Sequence, residues 1–538
     1  MALTFFYSRT SFTKYFLFML LCILFFPGIS GSATYYVSSS SGKDSNSGIS
    51  LQAPFKTLNR ISALDLKPGD KVLLKKGDTW QESLTLPGTG NKNALLVFSS
   101  YGNGEMPVIN GATLLKDWTK SVPGTYFTGY IGMCNGLLEN GIPLKRASSK
   151  SLTDGQWFHN GVYIHYRPTK DLDVAYRVER CARGSLFTLE NKEYVLIDGI
   201  TFYGANKYGI RLIDCSNITI ANCKIVCNGG EGIGLHRQKG ELVCKNILIR
   251  NNILDWNANG IYIEGKKGGF KSTGYIKSMI INNSITHTNF RNVWEHSTKD
   301  GHAIGIQNSS FCRFEGNTIT DNYSGIALWT AESFISQGNI FTRNFVARNQ
   351  LYGIVNGADG RDNSFHNTFS FNIITENGWQ TGNWGGLRIN KPQTKGNYYY
   401  NNTLYNNDIN IYLYSSPDFH VIKNNISLHP RKYHVWLDKS AGTHNIIDNN
   451  CYFSDENNLF LFRSSKDISF ATWVSLSRSD QSSIFSDPLL KSSRPVDKKD
   501  FRLAEKSPCT SRAAKDHFDL QKNFFGLESK EMGACGIQ

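Results

Sequence analysis

Gly232-Ile233-Gly234-Leu235-His236, Gly260-Ile261-Tyr262-Ile263-Glu264, Ala303-Ile304-Gly305-Ile306-Gln307 and Gly325-Ile326-Ala327-Leu328-Trp329 are four copies of one phrase. Each reads small residue, aliphatic, variable residue, aliphatic, outward residue. Gly209-Ile210-Arg211-Leu212-Ile213 is an earlier copy, and weaker ones begin at Gly353, Gly386 and Asn410. Apolar residues at every second position are the period of a strand with one buried face. Between the copies lies a second alternating phrase that ends in Asn, as in Ile218-Thr219-Ile220-Ala221-Asn222, Ile247-Leu248-Ile249-Arg250-Asn251 and Ile280-Ile281-Asn282-Asn283. The shortest repeat, from Ala303 to Gly325, is 22 residues, enough for three short strands and their turns. A unit that short cannot enclose a core alone, so the reading is a stack of coils, each strand pairing with its counterpart above and below. Asparagines recurring at one corner are placed to bond from coil to coil.

Composition agrees. The chain has 49 glycines and 14 prolines, with 40% hydrophobic and 19% charged residues, which excludes a disordered chain and a multi-pass membrane protein. Glycine and asparagine suit tight corners because both tolerate positive φ. Residues 1–33 read as an export signal: Arg9 and Lys14, an apolar run from Tyr15 to Phe26, the break at Pro27-Gly28, then the small residues Gly31-Ser32-Ala33. The expected location is therefore secreted or extracytoplasmic, with no membrane span once the signal is removed. Formal charge is +14, or +12 without Arg9 and Lys14. A basic exported protein attracts acidic polysaccharides, whereas no Lys/Arg run or nucleic-acid motif points to nucleic acid. Ten of the 11 cysteines follow the signal. Disulfides, such as Cys509 with Cys535, and free buried thiols are both compatible with that count.

The opening Tyr35-Tyr36-Val37-Ser38, with Gly42, Asp44, Asn46, Gly48 and Pro54-Phe55-Lys56-Thr57-Leu58, and the closing Phe485-Ser486-Asp487-Pro488-Leu489 and Phe501-Arg502-Leu503 complete a further pattern. With them the chain resembles the right-handed parallel β-helix proteins of the pectate-lyase-like superfamily. The resemblance implies an all-β solenoid: an N-terminal cap with a short helix (about residues 55–64) and first coils over 34–114, regular coils with a substrate groove over 191–480, and a closing segment over 481–538. Residues 115–190, rich in aromatics and turns but poor in coil periodicity, are expected as an irregular β-rich insertion.

Departures from regularity mark where a groove can form. The segments after His236 and Glu264 are longer than the one after Ile213, and an insertion precedes Ala303. Their outward residues supply the candidate chemistry: His236, Glu264, Lys266, Glu295, Asp300 and His302 as catalytic groups, and Tyr262, Gln307, Trp329, Arg388 and Asn390 as substrate-binding groups. A lyase or epimerase of an acidic, uronate-containing polysaccharide would need a positive charge or Ca²⁺ to stabilise an enolate-like anion, and a Lys, Arg, His or Tyr base. A glycosidase would need two carboxylates at a set distance. The basic charge places lyase or epimerase first, hydrolase second and a non-catalytic glycan-binding protein third. The resemblance does not choose, because its members include all three. Its signatures for polygalacturonases, alginate epimerases and the pectate-lyase calcium site are not found, and no metal ligand set is legible. The expected partner is an extracellular polysaccharide, and the expected state a monomer.

Overall fold

A computed structural model describes residues 31–170, 177–236, 244–264, 275–289, 301–330, 335–357, 363–380, 382–457, 459–510, 512–513, 523–527 and 531–537. Residues 1–30 of the expected signal over 1–33, and Lys266, Glu295 and Asp300, lie outside them. The described strands make a parallel β-helix of three long faces, each a sheet of thirteen strands. One coil shows the plan. Leu248–Arg250 belongs to the first sheet, Ile253–Asp255 to the third, and Asn259–Glu264 to the second. Each pairs in parallel with its equivalents in the coils before and after.

Inward positions stack in columns. Ile220, Ile249, Ile280, Phe314, Phe341, Phe369 and Tyr399 follow one another in register, all buried. The four aromatic members are stacked at centroid distances of 4.6, 4.6 and 4.9 Å. This is the strand-pairing distance, so the backbone ladder and the ring stack enforce the same pitch.

The corner after the first sheet explains the asparagines. Asn251, Asn282, Gly316 and Asn401 adopt left-handed φ of 51–66°, which turns the chain inward. The next residue in each coil is a buried asparagine: Asn252, Asn283, Asn317, Asn344, Asn372, Asn402, Asn425 and Asn450. Each side-chain amide donates to the amide oxygen of the next, from Asn252 to Asn283 at 3.0 Å through to Asn425 to Asn450 at 3.1 Å. The second amide hydrogen goes to a carbonyl of the preceding coil, as Asn283 to Ile249 at 3.0 Å. A polar group in the core is tolerated because every donor is used.

Both ends are closed. Helix Leu58–Ser62 buries Leu58 and Ile61, and Thr57 accepts from the Arg60 amide. It is shorter than the expected 55–64 because Asp44 takes the amides of Lys56 and Thr57, holding them outside the helix. At the other end, helix Phe470–Ser477 buries Trp473, whose indole donates to buried Asp480 at 2.9 Å. Asp480 also receives Asn450, the last of the ladder, at 3.1 Å. Residues 112–181 contribute two small sheets with mainly antiparallel pairing and their own core around Trp157, Ile164 and Tyr166. The ten described cysteines form no disulfide and are buried. Cys509 packs with Cys451 and Met532 whereas Cys535 packs with Phe501 and Ala534, so the pairing of Cys509 with Cys535 is not made.

Candidate functional site

The outer face of the second sheet carries the expected ladders. The register stacks Arg211, Gly234, Tyr262, Gly305, Ala327, Val355, Arg388 and Tyr412 in one column. Ile213, His236 and Glu264 stack in the next. With one strand spacing between their coils, His236 Nδ1 and Glu264 Oε2 meet at 2.8 Å.

The other edge of the same imidazole meets a residue that strand alternation does not reveal. His236 Nε2 lies 3.1 Å from Glu231 Oε2. Glu231 opens its strand, and the register passes from Tyr208↔Glu231 to Ile210↔Ile233, omitting the glycine between. The offset between the two strands is the same on both sides of that step, so no residue is inserted, and the Glu231 carboxylate reaches His236 from the start of the strand. The legible signal is the residue before the small residue that opens each copy, which carries Tyr208, Glu231, Asn259, His302 and Ser324. Gly234 makes room for the meeting, since a Cβ there would lie 2.2 Å from Glu231 Oε2 and 2.6 Å from His236 Nε2. Tyr208 sets its ring edge-on to His236 at 5.1 Å, and the Arg211 guanidinium lies 4.9 Å from the Tyr208 ring.

His236 is 5% exposed. Burial works against its charge, but the carboxylates of Glu231 and Glu264 outweigh it and push its pKa up to about 9. At neutral pH it is an imidazolium between two carboxylates. Glu264 is the open one, with its side chain 48% exposed against 15% for Glu231.

Towards the later coils the face becomes aromatic. Tyr262 and Trp329 converge over Gly305, whose missing side chain leaves them space, and their centroids are 5.8 Å apart. Trp329, read from the sequence as an outward platform, is only 3% exposed, packed against Tyr262 and His302 in a cluster with Tyr323, Leu351 and Tyr352. His302 is buried, its Nδ1 3.2 Å from the Tyr352 hydroxyl, and burial pushes its pKa down to about 4, so it is neutral. Gln307 is half-buried in register with Trp329. Arg388 and buried Asn390 lie further along, on strand Gly385–Asn390. Among the described residues, no group of three or more His, Cys, Asp or Glu side chains is arranged to hold a metal ion.

Comparison with known proteins accords with this geometry. The right-handed β-helix region family matches over residues 141–274 and 185–370. The structure of XylC in complex with xylose superposes with a TM-score of 0.62 at 12% identity, covering 94% of this chain and 98% of that one. A structure titled glycoside hydrolase gives 0.55 at 11% identity, covering 78% and 96%. A segment of 86 residues, 15% of this chain, is 43% identical to the lacto-N-biosidase of Bifidobacterium longum subsp. longum, and spans 5% of that relative's length. Three parallel sheets, internal asparagine and aromatic ladders and these likenesses lead to one conclusion: the chain is a right-handed parallel β-helix protein.

Proposed function

We propose that this protein is an extracytoplasmic carbohydrate-active enzyme that hydrolyses a glycosidic bond, with Glu231 and Glu264 as its carboxylate pair and His236 as the group that positions and charges them. The observation that carries the reading is the single imidazolium bridging two carboxylates on an outer face. An imidazole, one hydrogen bond and one ion-pair contact separate the carboxylates, which falls within the roughly 5–9.5 Å spanned by glycosidase pairs. Imidazolium and two carboxylates hold one proton more than the neutral ring and two anions. That proton passes from His236 to one glutamate, which delivers it to the leaving glycosidic oxygen. The other glutamate activates water or attacks the anomeric carbon directly. The 43%-identical segment of a lacto-N-biosidase supports the same class of chemistry.

The sequence alone places lyase or epimerase action first. That chemistry needs a base free to take a ring proton, and His236 is protonated and committed to two acids. The test is incubation of the purified protein with a panel of neutral and acidic oligosaccharides. New reducing ends without ultraviolet absorbance, lost by about 10²–10⁴-fold in Glu231→Gln and Glu264→Gln, are expected. A rise in absorbance from an unsaturated product would overturn hydrolysis in favour of elimination.

A further inference from the structure

Four coils beyond Tyr262 in the same register column stands Arg388. At one strand spacing per coil that is roughly 19 Å along the groove. Its guanidinium carbon lies 5.4 Å from the ring centroid of Trp384, 5.4 Å from that of Tyr412 and 4.8 Å from that of Tyr414. Among the described residues no carboxylate pairs with it, and its Nε is buried without a hydrogen-bond partner. Burial lowers its pKa from the usual guanidinium value, with only the tyrosines to offset the loss of water. Some arginines are answered by acids, as Arg348 is by Asp321 at 2.8 and 2.9 Å and Arg313 and Arg343 are by Glu315, whereas Arg180, Arg183, Arg211 and Arg502 share with Arg388 a buried nitrogen without a hydrogen-bond partner. Burying a charge among aromatic faces with no acid to answer it is costly, and the cost is recovered when an anion arrives.

The surroundings supply the rest of a sugar site. Asn390, two residues on, has a buried side-chain oxygen with no partner, an acceptor beside the cation. Tyr414, 38% exposed, offers an open ring face on the adjacent coil. Tyr412 stacks on Trp436 at 4.6 Å, and beyond it a cavity of about 430 Å³ is bordered by Arg431, Lys432, Tyr433 and Trp436, with the Trp436 indole nitrogen also lacking a partner. Planar cation, unpaired acceptor and open aromatic ring match a pyranose bearing an anionic substituent: two oxygens for the guanidinium fork, a hydroxyl for Asn390, and a C–H face for the ring.

We infer that Arg388, Asn390 and Tyr414 form a distal subsite for an anionic sugar residue, carboxylated or sulfated, on the chain whose glycosidic bond lies at Glu231 and Glu264. The inference rests on reading this face as a glycan groove, but its test does not need turnover. Binding is measured by calorimetry on the Glu264→Gln protein with three ligand sets: uronate-containing oligosaccharides, sulfated neutral oligosaccharides, and the unsubstituted neutral parents. Preference for either anionic set, weakening as salt rises, is expected, and whichever set binds identifies the substituent. Adding Arg388→Met, which keeps the apolar stem, should weaken anionic ligands by roughly tenfold or more, the weight of one charge-assisted contact, and leave neutral ligands unchanged. Arg388→Lys should retain part of the preference. Tyr414→Ala should weaken all ligands and preserve the anionic-to-neutral ratio. Equal binding of neutral and anionic sets, or undiminished anionic binding in Arg388→Met, would overturn the subsite. Failure of cleavage with selective binding intact would overturn the hydrolase reading instead.

Discussion

Replacing His236 with glutamine removes the charge that joins Glu231 to Glu264 and keeps a polar side chain of similar reach. In the unfolded chain a histidine titrates near 6.5, and in the fold His236 titrates at about 9. Below pH 6.5 it is protonated in both states and its pairing contributes in full. Between 6.5 and 9 the unfolded state gives up its proton first, so the contribution declines as pH rises and is gone above the folded value. A shift of that size corresponds to at most about 3 kcal/mol, reduced by solvent screening at the open Glu264. A stack of coils opens locally, so the informative assay is hydrogen exchange of strands Glu231–His236 and Asn259–Glu264, wild type against His236→Gln, from pH 6 to 10. Wild type should hold these strands more tightly at pH 6 and lose the advantage by pH 10. An exchange difference that stays flat across the range, or a ring titration of His236 at or below 6.5, would refute the clamp.

Other consequences are measurable in the same way. Phe341→Ala empties the centre of the aromatic column and should cost about 3–5 kcal/mol in denaturant unfolding, the loss falling on the coils around residues 314–369. Asn344→Leu preserves volume but strands the Asn317 amide above and the Asn372 oxygen below, so a loss of about 1–3 kcal/mol for each orphaned group is expected. A neutral outcome would mean the ladder is spectator to the backbone pairing. Buried His302, His420 and His434 titrate at about 4, about 4 and about 3 in the fold. Their folded values lie below the unfolded one, so acidification from pH 6.5 toward 4 protonates the unfolded state preferentially and should lower the melting temperature. Constant melting across that window would contradict their neutral burial.

The coils were legible because a two-residue alternation, once repeated at near-constant spacing, leaves few alternatives. Adjacency of His236 and Glu264 followed from counting coils, and the outward columns followed from the same alternation. Glu231 was hidden by that rule: two residues before inward-facing Ile233, it counts as inward, yet its carboxylate meets His236. Trp329 sits in the expected outward column, yet Tyr352, from a later coil, and Tyr262 cover it, and such cover depends on packing between coils rather than on parity within one. Helix Phe470–Ser477 has one buried residue, Trp473, too little periodicity to stand out.

The ladders also have a consequence for substrate length. Rings, amides and backbone all repeat at the pitch of one strand, so two points on the outer face can be moved apart only by adding or deleting a whole coil. The span between the glutamate pair and Arg388 is therefore an integer number of steps rather than a continuous variable. A relative with one more coil would measure its glycan with a longer ruler of the same graduation.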